Sequence, residues 1–133
     1  MKKHLVLVVV LVLVGAAAWA QGAPGMRTGQ WLHSLWESLQ KIATATSSDE
    51  VMTLKQQLIL YDGYVEGASA VMWAAGWLNL SNSTSTWAQE AIIVGKYLDD
   101  HPEQWSDDAE VLIYRALHAI WPGAKAAPAP YYQ

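Results

Sequence analysis

Residues 50–78 decide the fold, and they read EVMTLKQQLILYDGYVEGASAVMWAAGWL. At about 100° per residue, an α-helix places two apolar stripes on this stretch. The first stripe consists of Val51, Leu54, Leu58, Tyr61, Val65, Ala68, Met72 and Ala75, and the second of Leu60, Tyr64, Gly67, Val71, Ala74 and Leu78. Two apolar stripes need two sets of neighbours, so the pattern predicts a long central helix that is buried on two sides.

Small and polar residues share the rest of this helix surface. Gly63 and Ala70 form a narrow face where another backbone can approach closely. Trp73 interrupts a polar line that consists of Lys55, Asp62, Glu66 and Ser69. Gly67 lies one turn after Gly63 on the second apolar stripe, and we therefore expect Gly67 to be a buried packing residue.

Three further segments have helical periodicity, and no segment alternates like a strand. A first amphipathic helix fits residues 29–45. Capping-box spacing at Ser47 and Glu50, and again at Thr86 and Gln89, predicts the starts of helices over 50–79 and 87–100. Ser106 as an N-cap predicts a last helix over 107–121. The predicted fold class is an all-α, single-domain bundle of about four helices with a long central helix.

The first twenty residues have the layout of a secretory signal peptide. Lys2 and Lys3 precede an apolar run over 5–14, and Ala18-Trp19-Ala20 fits a small-residue cleavage site. An uncleaved anchor is the alternative, but about 14 apolar residues fall short of the ~20 that span a bilayer. We expect cleavage after Ala20, a periplasmic or secreted location and no membrane contact after cleavage.

Composition divides the remaining chain into three parts. Residues 21–27 contain glycine and proline and predict a flexible lead-in, and residues 28–123 form the helical domain. Residues 124–133 are rich in alanine and proline and predict a disordered tail. One core suits a domain of this size.

Charge and composition narrow the classes of partner. Without Lys2 and Lys3, the chain has six basic against twelve acidic residues, a formal charge of −6. Nucleic acid and anionic membrane surfaces are therefore disfavoured, and a basic partner fits better. The chain has no cysteine and no phenylalanine, so packing around its tryptophans has to stabilise the fold.

Three motifs in the second half resemble a known family. They are Gly63-Tyr64-Val65-x-Gly67, then Lys96-Tyr97-Leu98-x-x-His101-Pro102-Glu103, then Trp121-Pro122 at the end of an amphipathic helix. Over roughly residues 28–123 the chain resembles the Tai-type, or type VI secretion amidase immunity, family and the related resistance-associated immunity proteins. The resemblance implies a small all-helical periplasmic protein that binds a cell-wall amidase effector and blocks its active site.

This chain would be a cysteine-free member of that family. The places where family members commonly carry cysteines correspond here to Trp36, Tyr61, the region of Leu80, and Gly123. Loss of all of them together is expected if the cysteines were lost in pairs and aromatic packing replaced them. Each lost bridge removes about 2 to 4 kcal/mol of stability, and burial of a large aromatic offsets an amount of that order.

Catalytic and metal-binding patterns are weak in this sequence. Only His33 has a carboxylate at helical contact spacing, that of Glu37, and a solvent-exposed pair explains this spacing better than a catalytic or metal site. The acidic residues Asp99, Asp100, Asp107 and Asp108 lack the spacing of a calcium loop and suit helix capping. We expect no enzymatic activity, no cofactor and no metal.

The tryptophans and one polar loop indicate where a protein partner binds. Four tryptophans fit apolar faces and are expected in the core: Trp31, Trp36, Trp77 and Trp121. Trp73 lies on the polar line, and Trp87 and Trp105 lie beside loops, where an interface uses aromatic anchors. The predicted partner-binding residues are therefore Trp73, Asn79, Ser81, Asn82, Ser83, Thr84, Ser85, Trp87 and Trp105. Packing of Trp87 in a first turn beside a spacer loop is the simpler alternative.

Three hypotheses about function follow. The leading one is an immunity-type binding protein with an amidase as its partner. The second is an envelope interaction protein of the same fold without a toxin partner, and the third is a small secreted enzyme. A homodimer is compatible with each of them.

Overall fold

The computed structural model describes residues 27–80 and 86–131. These ranges contain four α-helices: α1 (Gly29–Lys41), α2 (Ser48–Ala75), α3 (Trp87–Asp100) and α4 (Ala109–His118). Short 3₁₀ turns, Ile42–Thr44 and Pro102–Gln104, follow α1 and α3. The described ranges have no strand beyond two isolated bridges, Thr28 with Asp108 and Leu78 with Pro122. The predicted all-α bundle with a long central helix is confirmed.

The core lies between one face of α2 and the other three helices. Tyr61 and Val65 of α2 are buried completely or almost so, and the Tyr61 hydroxyl donates a hydrogen bond to the Ala91 carbonyl of α3 at 2.8 Å. The first apolar stripe therefore has the neighbours that the sequence predicts. Of the tryptophans expected in the core, Trp36 is buried. The other three are partly buried and pack against the core: Trp31, Trp77 and Trp121.

Most of the second apolar stripe is exposed, so the prediction that α2 is buried on two sides is wrong; within this stripe only Leu78, beyond the end of α2, is buried, and Tyr64 is partly buried. Leu60 is 50% exposed and Val71 is 65% exposed. A β-carbon added at Gly63 or Gly67 would have no heavy atom within 4 Å, so Gly67 is not a packing residue within the chain. The physical reason is that α1, α3 and α4 all pack on the opposite half of α2, so that no helix covers this face, and the C-terminal segment only borders a groove along part of it.

The ends of α2 and α3 show how well local signals predict boundaries. Ser47 caps α2 through its hydroxyl, which accepts from the Glu50 amide at 3.2 Å, and the capping box at Thr86 starts α3 as expected. However, α2 ends at Ala75 rather than near 79, because Gly76 adopts a left-handed conformation with φ of 81°. Glycine at a helix C-cap is a signal that the sequence contains. The polar run that begins at Ser81 is the more conspicuous signal, and it predicts a later end for the helix.

The first and last helices are shorter than predicted. α1 ends at Lys41, and a 3₁₀ turn completes the expected segment. Asp108, not Ser106, is the N-cap of α4, since the carboxylate of Asp107 accepts a hydrogen bond from Arg115 at 2.6 Å and holds the preceding turn. α4 ends at His118, and a turn follows in which the Trp121 amide bonds to the Leu117 carbonyl at 2.8 Å.

The predicted disordered tail is also wrong as far as residue 131. The Lys125 amide donates to the Gly76 carbonyl at 3.0 Å, and Ala127 is buried. The ring of Tyr131 packs against Trp77, with centroids 5.2 Å apart, and against Tyr114. A few aromatic contacts therefore hold a proline-rich segment of low apolar content against the domain.

The predicted signal peptide and most of the predicted lead-in, residues 1–26, lie outside the described residues, as do residues 132–133. Within the described ranges, no helix has the length and apolar content that crossing a membrane requires.

Candidate partner-binding surface

Two exposed tryptophans lie at the end of the bundle where α2 finishes and α3 begins. The side chains of Trp73 and Trp87 are 51% and 59% exposed. Ser69 of α2 contacts Glu90 of α3, and Trp73 lies one turn beyond Ser69 while Trp87 lies one turn before Glu90. The structure therefore brings these two predicted anchors to the same end of the α2–α3 pair.

A buried polar contact fixes this end of the bundle. The Ser69 hydroxyl, which is fully buried, donates to the Glu90 carboxylate at 2.6 Å. Glu90 is only 4% exposed and lies in the first turn of α3, where the helix dipole favours a negative charge. Because the two helices are tied directly behind the tryptophans, the indole rings project from a rigid base.

Hydrogen bonds fix the two ends of the loop between Trp73 and Trp87. The Asn79 amide donates to the Trp121 carbonyl at 3.0 Å, next to the bridge between Leu78 and Pro122. At the other side, the Gln89 side chain accepts from the Thr86 amide at 3.1 Å. Asn79 itself is exposed. The predicted contact residues Ser81, Asn82, Ser83, Thr84 and Ser85 lie outside the described residues.

Trp105, which the sequence analysis groups with the other two tryptophans, does not lie beside them in the structure. Its indole nitrogen donates to the Leu98 carbonyl at 2.9 Å, and its ring stacks on His33 at 4.0 Å. Trp105 follows the C-terminal end of α3, whereas Trp87 begins that helix. The 14 residues of α3 separate the two tryptophans by about 20 Å.

A polar cluster under Trp105 was not predicted from the sequence. Asp99 accepts hydrogen bonds from His33 Nε2 and from Trp36 Nε1, both at 2.9 Å. His33 is therefore paired with Asp99 of α3 and not with Glu37. Histidine and aspartate together can exchange a proton, but this histidine is 8% exposed and lies beneath the Trp105 ring, where the pair links α1 to α3. Residues 66 positions apart give no local signal of such a contact.

A groove of about 400 Å³ runs between α2 and the C-terminal segment. Gly63 and Gly67 lie along it, Trp77 and Tyr131 form an aromatic wall, and Tyr64 lies at its polar end with Arg27 and Glu110. The Tyr64 hydroxyl donates to Glu110 at 2.5 Å. Burial raises the pKa of Tyr64 above its usual value, and the Glu110 carboxylate raises it further, so the hydroxyl remains a donor.

Neither a metal site among the described residues nor a match to a known protein indicates what this surface does. The described residues contain no group of three or more histidine, cysteine or acidic side chains placed to hold a metal ion. Comparison of the chain with protein-family models, with curated proteins and with solved structures found no match.

Proposed function

We propose that this chain is an exported, immunity-type binding protein, which neutralises a cell-wall amidase effector of type VI secretion by binding it and blocking its active site. The observation that carries the proposal is the pair of half-exposed tryptophans, Trp73 and Trp87, on a rigid base beside a polar loop. Aromatic anchors on a fixed frame, next to a loop of polar sequence, suit a protein that binds in the active site of another protein.

Several residues of the motifs that resemble the immunity family hold the helices of the bundle together. Val65 lies in the core of the bundle, and the Tyr64 hydroxyl ties α2 to Glu110 of α4. Tyr97 packs on His101 with ring centroids 4.3 Å apart and donates to Gln104 at 2.9 Å. These contacts support the resemblance because Tyr64, Val65 and Tyr97 each have a specific structural role in the bundle.

The positions of the missing cysteines support it as well. Trp36 and Tyr61 stand at two of these positions, and their rings pack 5.9 Å apart. Gly123 stands at another, and its amide donates to the Trp77 carbonyl at 3.0 Å, close in the chain to Leu80. Aromatic packing therefore joins the first two positions, and a backbone hydrogen bond joins Gly123 to the segment that precedes Leu80.

An envelope interaction protein of the same fold is the second candidate. The open apolar face of α2, with Leu60 and Val71, favours it, since a wide uncharged face suits a lasting assembly better than a single inhibitory contact. In that case the chain would bind another envelope protein and would not protect against an amidase.

The test uses purified cysteine–histidine amidase effectors of type VI secretion, beginning with any that is encoded beside the gene for this chain. The chain, purified as it accumulates after expression of the full sequence, is added to the amidase and peptidoglycan, and release of cleaved peptides is measured. The proposal expects stoichiometric inhibition, with loss of inhibition in the Trp73→Ala/Trp87→Ala variant. Ile92→Ala, a change at another exposed apolar position, is the matched control and should inhibit fully. Undiminished hydrolysis with the unaltered chain would contradict the proposal and favour the second candidate.

A further inference from the structure

A buried carboxylate lies behind the two exposed tryptophans. Glu90, in the first turn of α3, is 4% exposed, and its Oε2 atom accepts the 2.6 Å hydrogen bond from Ser69. Trp73 lies one turn beyond Ser69 along α2, and Trp87 lies one turn before Glu90 along α3. The carboxylate and the two indole rings therefore belong to the same end of the α2–α3 pair.

This carboxylate has few hydrogen-bond donors for its degree of burial. The Ser69 hydroxyl carries a single hydrogen, and the Glu66 carbonyl, 3.1 Å from the hydroxyl oxygen, competes with Glu90 for it. No other residue in the described ranges donates a hydrogen bond to the Glu90 side chain. Buried carboxylates in proteins are as a rule paired with a cation. The chain itself therefore leaves Glu90 incompletely satisfied.

The second carboxylate oxygen of Glu90, Oε1, reaches the surface of the molecule. Within the part of the chain that the structure describes, no buried side-chain oxygen lacks a hydrogen-bond partner. Because Oε1 accepts no hydrogen bond from these residues, this atom is not buried, although the side chain as a whole is. An incoming group can therefore contact Oε1 without a rearrangement of α2 or α3.

The negative charge at this end of the bundle is not neutralised by the described residues. The ion pairs found among them involve other carboxylates: Asp99, Glu103, Asp107 and Glu110. The side chain of Glu66, one turn before Ser69, is exposed and adds a second negative charge nearby. The surface thus combines uncompensated negative charge with two exposed aromatic rings.

An arginine side chain suits this surface better than other cations do. A guanidinium stacks on an indole ring and donates N–H groups in its own plane, so one arginine can contact a tryptophan and a carboxylate together. A metal ion would need more ligands, and the described residues contain no group of three histidine, cysteine or acidic side chains placed to hold one. The formal charge of −6 on residues 21–133 also attracts a basic partner.

We propose that the bound partner places an arginine beside Trp73 and Trp87, with its guanidinium stacked on an indole ring and hydrogen-bonded to Oε1 of Glu90. This inference rests on the proposed function, because it takes the two tryptophans as the partner-binding surface, and it names the chemistry that this surface recognises. Glu90 is then the charged centre of the interface. The tryptophans around it exclude water from the ion pair.

Titration with N-acetyl-arginine amide, followed by NMR at fixed ionic strength, tests the inference without an amidase. The chain is purified as it accumulates after expression of the full sequence, and the indole N–H signals of Trp73 and Trp87 are identified by their loss in the Trp73→Ala and Trp87→Ala variants. We expect both signals to shift with a dissociation constant in the millimolar range. N-acetyl-citrulline amide, which has the same shape and no charge, should bind at least about threefold more weakly. Equal shifts with the two probes, or none with either, would overturn the inference.

Carboxylate variants locate the charge that the arginine probe uses. Glu90→Gln keeps an oxygen acceptor for Ser69 but removes the charge, so it should abolish the preference for arginine over citrulline. Glu37→Gln, the same change at an exposed position on α1, is the matched control and should retain the preference. A preference that survives in Glu90→Gln, or that is lost in Glu66→Gln alone, would overturn the assignment to Glu90. The comparison of the two probes on the unaltered chain does not depend on how well any variant folds.

The probe experiment and the amidase assay fail separately. A chain that prefers the arginine probe but does not inhibit an amidase would retain the arginine site and overturn the proposed function. A chain that inhibits an amidase but has no preference for the arginine probe would retain the proposed function and overturn the arginine site.

Discussion

The backbone of Gly95 in α3 lies directly against the indole ring of Trp36 in α1. A β-carbon at Gly95 would overlap the ring atoms, whereas the same carbon at Gly67 of α2 would meet nothing. Glycine thus allows the close crossing of α1 and α3 at one position and is free of intramolecular contact at the other.

This contrast predicts opposite effects of one substitution. Gly95→Ala should destabilise the fold by about 1 to 3 kcal/mol, because Trp36 has to move from its packed position. Gly67→Ala should stabilise the fold by up to about 1 kcal/mol through helix propensity. Urea denaturation of both variants at low protein concentration measures the difference. Equal effects would mean that α3 does not cross α1 at Gly95.

The Ser69–Glu90 contact predicts a large effect for a small change. Ser69→Ala leaves a buried carboxylate without its hydroxyl donor and should cost about 1 to 3 kcal/mol in the free energy of unfolding. Ser38→Ala is the matched control, since the Ser38 hydroxyl bonds to the Ser34 carbonyl on an exposed surface. It should change stability by less than about 0.5 kcal/mol. A Ser69→Ala variant as stable as this control would place Glu90 in water.

The C-terminal segment should contribute to stability although its composition predicts disorder. Tyr131→Ala removes the ring contacts with Trp77 and Tyr114 and should destabilise by about 1 to 2 kcal/mol. Limited proteolysis should then cleave after Lys125 faster than in the unaltered chain. Tyr97→Phe, which removes one hydroxyl and no ring, serves as the control. Rapid cleavage in both the unaltered chain and Tyr131→Ala would restore the prediction of a disordered tail.

Asp62 predicts a dependence of stability on pH. Burial raises the pKa of Asp62 above 3.8 in the folded chain, and neighbouring Glu66 raises it further. The folded state therefore binds this proton more tightly than the unfolded state does. The stability that this proton contributes is fully present below the unfolded pKa of 3.8, and it is lost as the pH rises through the folded pKa. Asp62→Asn should stabilise the protein at pH 7, by no more than about 0.5 kcal/mol at this partly exposed site. Its advantage should vanish near pH 3, and an advantage that grew on acidification would contradict this assignment.

Local signals predicted the helices well because each depends on residues close in the chain. The Ser47 and Thr86 caps and the periodicity around Tyr61 needed no knowledge of distant contacts. The Asp99 cluster with His33 and Trp36 could not be predicted, because it joins residues more than 60 positions apart. Helix capping already accounted for Asp99 locally, so nothing in the sequence indicated that its carboxylate also accepts hydrogen bonds from His33 and Trp36.

The exposed apolar side of α2, with Leu60 and Val71, shows a second limit of prediction from sequence. Periodicity identifies Leu60 and Val71 as apolar positions that need a neighbour, but it does not say whether the neighbour belongs to the same chain. For the binding surface, exposure of Trp73 was expected from its place on the polar line of α2, and exposure of Trp87 from its place beside a loop. Trp105 has the same local appearance, and only the fold reveals its stacking on His33.

The affinity of the Trp73→Ala variant for the amidase, measured by calorimetry together with its melting temperature, tests the central claim most directly. Binding through the tryptophan pair predicts a loss on the order of 2 kcal/mol in binding free energy, with the melting temperature little changed. A variant that melts well below the unaltered chain but binds the amidase with full affinity would contradict the claim and assign Trp73 to the folded core.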